Sequence, residues 1–358
     1  MNPLNLLLLF IPVSLALEVF HGPPLFVFIS AGLAIIPLAG WMGNATEALA
    51  HRLGATWGGL LNATFGNAAE LIIAVFAIRA GLIRVVEASI TGSIIGNLLL
   101  VVGASFLAGG IKYKTQRFNR DLAGMHCALM MMSVVALMVP ALFVYTSHGK
   151  LGAVQGAVID PRVESLSLGV AGVLIVVYAL SLVFSLITHE SLLGGPTKEE
   201  AKGAAMAPSR ALGLLLVATA LLAWQSEMLV GSVEAVTASL GLTEMFVGVV
   251  IVAVIGNAAE HSAAIMFALR NQMDVALNIA VGSSTQIALF VAPLLVFVSL
   301  AMGHPMSLVF HPFELVSVAF AATIAVVINL DGRSNWFEGA LLLGTYAIIA
   351  MAFFFIPG

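Results

Sequence analysis

Long runs of apolar residues, separated by short polar breaks, follow one another along the whole chain. Runs of about 18 or more mostly apolar residues are long enough to cross the hydrocarbon core of a bilayer as helices. The predicted crossings are residues 4–20, 25–50, 58–80, 85–109, 121–145, 165–187, 211–233, 244–269, 275–302, 312–330 and 336–356. The pattern therefore predicts an all-α polytopic membrane protein with 11 transmembrane helices.

Composition supports this class and excludes others. The chain has 358 residues, of which 61% are hydrophobic and only 9% are charged, too few charges to cover the surface of a soluble protein. A single cysteine, Cys127, excludes an internal disulfide. The apolar N-terminus lacks a basic region, which favours a first membrane helix over a cleaved signal peptide. No charged tail or low-complexity tract suggests a nucleic-acid partner.

The longest polar interval runs from Thr188 to Arg210 and contains a Gly-Gly-Pro sequence followed by Lys-Glu-Glu. Such an interval is the natural boundary between two halves of the chain. The predicted organisation is an N-terminal asymmetric helix at 1–22, a first five-helix repeat at 23–190, a cytoplasmic linker at 191–210 and a second five-helix repeat at 211–358.

The basic residues predict the orientation. If the N-terminus is cytoplasmic and the helices alternate, 10 Lys and Arg side chains lie in cytoplasmic connections and 4 in outer ones, as the positive-inside rule expects. The C-terminus is then external. Five helices per half make the second half enter the membrane in the opposite sense, so the two halves form an inverted repeat. Ion sites in that architecture lie near the membrane midplane between the halves.

A five-residue sequence, Gly-Asn-Ala-Ala-Glu, occurs twice, at residues 66–70 and 256–260. Each copy lies inside a long apolar segment, where an ionisable residue is energetically expensive and indicates a functional site. A shift of 190 residues aligns the two copies without a gap, and the same shift aligns Gly92-Ser93 with Gly282-Ser283. The duplication predicts one site built from both halves.

The asparagine and the glutamate of each copy are three residues apart, so each pair shares one helix face. The neighbouring glycines allow either a close backbone approach or a local break that frees carbonyl oxygens. Carboxylate, amide and carbonyl oxygens form a set that suits Ca²⁺ better than a soft metal. The alternative is two unrelated polar kinks that only pack helices. The predicted metal ligands are Glu70, Glu260, Asn67 and Asn257.

The second repeated element is Gly-Ser followed by polar side chains. Its small residues could simply let neighbouring helices pack closely. Its polar side chains could instead orient the central glutamates or supply water-mediated ligands. The predicted supporting residues are Ser93, Asn97, Ser283 and Gln286.

Three further titratable residues complete the predicted site. Glu47 and Glu227 are also acids within membrane segments, and the inverted arrangement puts one toward each end of the central site. Either each one guards an approach to the centre or it extends to a nearby interface. His261 follows Glu260 directly, whereas Leu71 follows Glu70, so the site is asymmetric. The imidazole either passes protons or is a hydrogen-bonded structural residue.

At these residues the chain resembles the CAX family of Ca²⁺(cation)/H⁺ antiporters, within the cation/Ca²⁺ exchanger superfamily. The resemblance covers nearly the whole chain and is strongest at residues 43–71 and 256–295. It implies two inverted five-helix halves after a first helix, a central cation site with its carboxylates at Glu70 and Glu260, and a histidine at His261. The acidic helix that larger members carry between the halves is reduced here to residues 198–200.

The function expected is secondary antiport, not enzyme catalysis. Two central carboxylates can hold one Ca²⁺ or, in a low-dielectric cavity that favours neutral carboxyls, two protons. We expect Ca²⁺ and H⁺ as substrates and no cofactor, in a prokaryotic cell membrane, with membrane lipid as a partner and self-association into a homo-oligomer left open. A Na⁺/Ca²⁺ exchanger is the alternative. An intramembrane hydrolase is disfavoured because the chain lacks a His-Glu-x-x-His sequence.

Overall fold

The computed structural model describes residues 3–148, 161–189 and 206–357. Its helices are α1 (Phe10–Val19, after a 3-10 helix at Pro3–Leu9), α2 (Pro24–Phe65), α3 (Ala68–Arg79), α4 (Ile83–Ile95), α5 (Val102–Tyr113), α6 (Arg120–His148), α7 (Pro161–Val183), α8 (Pro208–Gly231), α9 (Val233–Leu240), α10 (Glu244–Phe246), α11 (Ala253–Leu269), α12 (Met273–Gln286), α13 (Ala292–Ala301), α14 (Pro312–Asn329) and α15 (Trp336–Phe355). Two short strands, β1 (Thr115–Arg117) and β2 (Arg333–Asn335), pair antiparallel.

The predicted class is confirmed. In the described part of the chain, 9 helical stretches are long and apolar enough to cross a membrane, and the shorter apolar stretch Leu4–Val19 precedes them. The predicted crossing at 58–80 corresponds to the end of α2 together with α3. The 9 stretches, the segment Leu4–Val19 and the end of α2 with α3 together give each predicted crossing a helical counterpart, in the same order.

Helix α2 is not one straight rod. A Cβ atom on Gly58 would collide with the carbonyl oxygen of Ala50, although eight residues of straight helix would separate these positions by about 12 Å. The chain therefore folds back between Ala50 and Gly58, where the sequence predicts a connection. A second interruption follows at Asn67, whose φ of −103° and ψ of 27° separate α2 from α3.

Several of the long helices contain π-helical turns. Turns at Gly96–Val101 and Ile287–Val291 follow α4 and α12, and others lie at Phe184–Thr188 and Val247–Val252. The shift of 190 residues carries the first turn onto residues 286–291, so the internal repeat includes this backbone irregularity. Such turns occur frequently at functional sites.

The chain divides into two compact units that do not follow the predicted halves. The first unit comprises Met1–Ala80, Ala179–Leu242 and Ile255–Ala259, and the second comprises Gly81–Tyr178, Thr243–Val254 and Glu260–Gly358. Both predicted halves, 23–190 and 211–358, contribute to each unit, and the halves remain a prediction from the sequence. Of the predicted linker 191–210, residues 191–205 lie outside the described residues, as do the acidic residues near 198–200.

In the first unit α2 packs along α8. A Cβ on Gly32 would lie 2.7 Å from the Cδ1 atom of Ile255, so this glycine lets α2 approach the adjoining part of α11. Ser14 in α1 donates a hydrogen bond to the Oε1 atom of Gln225 in α8 at 2.8 Å. This buried hydrogen bond stabilises the packing of α1 against α8.

In the second unit, glycines bring α4 against the π-helical turn Val247–Val252. A Cβ on Gly92 would collide with the carbonyl of Val249, and one on Gly248 would lie 2.5 Å from the Cβ of Ala88. Gly92 therefore has the packing role considered as the alternative for the second repeated element. The serine beside it, Ser93, is buried.

Candidate functional site

In the first unit, the first copy of the repeat forms an interrupted helix. Asn67 lies at the break and is 2% exposed, and Glu70 follows in the first turn of α3. A carboxylate in a first helical turn is stabilised by the unpaired N–H groups and the helix dipole. Because a break replaces the predicted continuous helix here, Glu70 is presented at a helix N-terminus within an apolar segment.

The second copy keeps its helix intact. Gly256, Asn257 and Glu260 all lie within α11, and Asn257 is fully buried in the first unit. A Cβ on Gly256 would lie 3.4 Å from Cγ and 3.7 Å from Oε1 of Glu70. The sequence allowed either a helix break or a close backbone approach at these glycines. The structure shows a break in the first copy and a close approach in the second.

In the second unit, three predicted residues form a connected polar chain. Ser283 in α12 donates a hydrogen bond to Oε2 of Glu260 in α11 at 3.0 Å. The Nδ2 group of Asn97, in the π-helical turn after α4, donates to Oγ of Ser283 at 3.2 Å. Both donors are buried. Ser283 therefore orients one carboxylate oxygen of Glu260, and Asn97 in turn orients Ser283.

The other two predicted supporting residues, Ser93 and Gln286, lie on the same helices as this polar chain or directly beside it. Ser93 is 4% exposed in α4, and Gln286 is the last residue of α12, directly before the π-helical turn Ile287–Val291. Both are in the second unit. Their involvement with the central carboxylates stays a prediction from the repeat.

Glu47 in α2 and Glu227 in α8 both have exposed side chains in the first unit. On α2, Gly43 and Asn44 are exposed beside Glu47, so one face of this apolar helix is polar and accessible. On α8, the two residues before Glu227 are buried. Within a membrane segment, a charged side chain at an accessible surface faces water or the interface. This placement does not decide between an approach to the site and an interfacial position.

His261 follows Glu260 on α11. Its Nε2 atom is buried and makes no hydrogen bond to any residue that the structure describes. Its predicted role in passing protons stays a prediction. His126, by contrast, has a structural contact, because its Nε2 atom lies 3.1 Å from Oδ1 of Asn278.

The sequence analysis missed a pair of buried acids in the second unit. Glu87 is 5% exposed and pairs with Arg84 at 3.1 Å, and Glu314, 1% exposed, is near enough to interact with it electrostatically. Glu314 also accepts a hydrogen bond from the backbone N–H of His311 at 2.8 Å, which caps α14. Two features of the sequence could have revealed the pair. Arg84 and Glu87 are three residues apart, a spacing that allows an ion pair on one helix face, and Glu314 is three residues after the cap residue His311, the spacing of a capping box. These contacts give the pair a structural role.

The described residues contain no group of three or more His, Cys, Asp and Glu side chains arranged to hold a metal ion. The predicted ligand set accordingly includes the amides of Asn67 and Asn257 beside the two glutamates. Ca²⁺ accepts such mixed oxygen shells of six to eight ligands.

A polytopic helical protein with carboxylates and buried amides at equivalent positions of an internal repeat, inside apolar helices, is typical of ion transporters. The comparisons with known proteins agree with this class. The chain belongs to the family described as sodium/calcium exchanger protein, whose model matches residues 23–187 and 210–355.

Curated relatives match over nearly their full length. The Ca(2+)/H(+) antiporter of Aphanothece halophytica is 49% identical, with 98% of this chain and 96% of that protein covered. The Ca(2+)/H(+) antiporter ChaA of Bacillus subtilis is 43% identical, with 97% of each covered. The solved structure of native YfkE is 41% identical with a TM-score of 0.84, covering 99% of this chain and all of that one. An H+/Ca2+ exchanger CAX structure, 16% identical at a TM-score of 0.72 over 98% and 91% of the two chains, shares the fold.

Proposed function

We propose that this protein is a secondary antiporter that exchanges Ca²⁺ for H⁺ across a prokaryotic cell membrane. The observation that carries the proposal is the end-to-end identity of 49% with a Ca(2+)/H(+) antiporter, combined with two glutamates at equivalent repeat positions within membrane segments. The polar chain on Glu260 supports a cation-binding role for it.

In the proposed cycle, Glu70, Glu260, Asn67 and Asn257 supply oxygens to Ca²⁺, and protons replace the cation on the carboxylates. An empty, fully charged pair in an apolar surrounding is the least stable state, so the carrier reorients when loaded. This mutual exclusion couples the two fluxes. Ca²⁺ and H⁺ are the substrates, and the cycle needs no cofactor.

Alternating access would involve α2 and α8, the predicted gates that carry Glu47 and Glu227. The two helices pack against each other within one unit, which supports their moving together. The excess of basic residues on one set of connections supports a cytoplasmic N-terminus and an external C-terminus. Ca²⁺ would then leave the cytoplasm as protons enter.

The test is uptake of ⁴⁵Ca²⁺ into proteoliposomes with and without an imposed pH gradient. We expect uptake to follow the gradient, and Glu70→Gln and Glu260→Gln each to reduce it to the protein-free level while the protein remains folded. Glu234→Gln is the matched control, because Glu234 is an exposed acid of α9 outside the predicted site, and it should transport normally. Uptake that ignores the pH gradient would refute the proposal.

The family description names sodium, and a Na⁺/Ca²⁺ exchanger is the alternative function, so the transport test needs a second experiment. Replacing the pH gradient with a Na⁺ gradient and measuring ²²Na⁺ flux separates the two exchangers. The structure of the sodium-calcium exchanger NCX_Mj is 18% identical in sequence to this chain and has a TM-score of 0.52, so the two proteins are similar in fold alone. We expect no ²²Na⁺ movement linked to Ca²⁺.

A further inference from the structure

The β1–β2 hairpin carries two arginines side by side. In its antiparallel register Arg117 is paired with Arg333, while Gln116 and Ser334 form the adjacent pair. Gln116 and Ser334 are buried, and both arginines are exposed. Since residues directly opposite in a ladder project to the same face, the two guanidinium groups share the accessible face of the hairpin.

A third arginine adjoins this pair. The backbone N–H of Phe118 donates to the carbonyl of Gly332 at 3.1 Å, and the Cβ of Arg120 lies 3.4 Å from the Cβ position of Gly332. Arg120 therefore begins α6 beside the residue that precedes Arg333. We call Arg117, Arg120 and Arg333 the arginine cluster.

No carboxylate of the described ranges lies within ion-pair distance of the arginine cluster. Among the residues that the structure describes, the one ion pair within 4.0 Å is that of Arg84 with Glu87. Asp121 and Asp331 are the acids nearest in sequence to the arginine cluster, and Asp331 instead accepts the backbone N–H of Arg333 at 3.0 Å. Like charges directly opposite in a strand pair are destabilising. An anion bridging Arg117 and Arg333 would remove that repulsion, and a phosphate accepts paired guanidinium donors particularly well.

An apolar groove leads away from the arginine cluster between α6 and α14. It encloses about 480 Å³, and its lining includes both Arg120 and the acidic Asp121 at the start of α6, so three arginines and one carboxylate give this end a net positive charge. Gly124, Ala128 and Met131 form one wall at spacings of four and three residues, which is one face of α6. The groove is open, and it lies along helices long and apolar enough to span the membrane. A hydrocarbon chain therefore fits its walls, and a phosphate fits its charged end.

We propose that this surface is a binding site for an anionic phospholipid, with the headgroup phosphate on the arginine cluster and an acyl chain in the groove. Basic pockets between membrane helices bind anionic headgroups in this way. Lipid binding at the hairpin would affect α11, because Gln116 of β1 donates to the carbonyl of Ala268 at 2.9 Å and to Oδ1 of Asn271 at 3.0 Å. These contacts fix the end of the helix that carries Glu260.

The headgroup half of the site is tested by native mass spectrometry of the purified full chain with phosphatidylglycerol or phosphatidylcholine added. We expect the parent to retain phosphatidylglycerol preferentially, and the double variant Arg117→Gln/Arg333→Gln to lose about 10-fold of that retention. Arg79→Gln, which removes an exposed positive charge from α3, is the matched control and should behave as the parent does. Equal retention of both lipids by the parent, or of phosphatidylglycerol by parent and double variant, would overturn the proposal.

The groove half needs a variant that leaves every charge in place. A side chain at Gly124 would meet open space, so Gly124→Leu should fill the groove without disturbing the fold, and we expect phosphatidylglycerol retention to fall several-fold. Gly169→Leu is the matched control, since Gly169 on α7 is equally open but outside the groove. Unchanged retention in Gly124→Leu would contradict the proposal. So would a smaller oligomeric mass of Gly124→Leu by light scattering without loss of lipid, because the groove would then be an interface between copies.

Discussion

At the scale of single residues, the best-defined polar contact of the candidate site is the one between Ser283 and Glu260. Asn97 donates to the hydroxyl of Ser283, and Ser283 donates to one carboxylate oxygen of Glu260, so two buried side chains form a relay that ends on this oxygen. A hydrogen bond donated to a carboxylate favours its ionised form, which is the form that binds a cation. If Glu260 binds Ca²⁺ as proposed, Ser283 holds one oxygen of its carboxylate in place.

Ser283→Ala should weaken apparent Ca²⁺ affinity by about 10-fold, because a hydrogen bond to a charged group typically contributes that much. Transport at saturating Ca²⁺ should be reduced less. The adjacent Ser284→Ala is the control, since Ser284 donates to backbone carbonyls of Ala280 and Ile94 and not to the carboxylate. Equal Ca²⁺ affinities in the two variants, measured in proteoliposomes, would remove Ser283 from the site.

His261 breaks the symmetry of the repeat, and its role has a separate test. If its imidazole relays protons, His261→Leu should strongly slow proton-driven exchange and leave Ca²⁺ binding at alkaline pH nearly unchanged. His261→Asn keeps a polar side chain that cannot titrate. An Asn variant whose pH–rate curve matches that of the parent would end the proton-relay hypothesis.

At the scale of elements, helix ends and helix breaks determine where charged groups lie. The break at Asn67 and the capping of α14 are two examples. His311 caps α14 by accepting the N–H of Phe313 on Nδ1, which requires a neutral ring. Burial lowers the pKa of His311, and the positive charge of Arg84 lowers it further. Protonation of this histidine therefore opposes folding.

The sign of the pH effect follows from that lowered pKa. The stabilisation by neutral His311 is present above the unfolded value of about 6.5 and is lost as the pH falls toward and below the folded pKa. His311→Asn should keep the cap and remove this part of the acid sensitivity, so its thermal midpoint in detergent should fall less between pH 8 and pH 5 than that of the parent. His304→Asn, an exposed histidine of the same loop, should fall as the parent does. Equal losses in His311→Asn and the parent would contradict the assignment.

At the scale of the whole molecule, coupling requires that protons and Ca²⁺ compete for the same carboxylates. Apparent Ca²⁺ affinity should therefore decrease as the pH falls on the side where the cation binds. The decrease should be measurable over roughly pH 6 to 8, across which the proton concentration changes about 100-fold. Equilibrium binding of ⁴⁵Ca²⁺ measures it directly. An affinity independent of pH over that range would exclude direct competition.

The exposed acids of α2 and α8 should affect movement more than binding. Glu47→Gln and Glu227→Gln should slow Ca²⁺ flux while equilibrium Ca²⁺ binding in detergent survives, because the proposal puts both residues on the approaches to the site. Glu70→Gln provides the reference for a lost ligand. If binding collapses as fully as it does there, Glu47 and Glu227 are themselves ligands.

The sequence by itself determined the fold class, the number and order of crossings and the duplicated glutamates. Apolar runs near 20 residues have few alternatives to spanning helices, and buried acids are too costly to occur twice by accident. The tertiary structure decided what local pattern cannot. The same Gly-Asn pair breaks one helix at Asn67 and lies inside intact α11 at Asn257, because packing around each copy differs. The links among Asn97, Ser283 and Glu260, and the pairing of Arg117 with Arg333, join residues far apart in the chain, which only folding brings together.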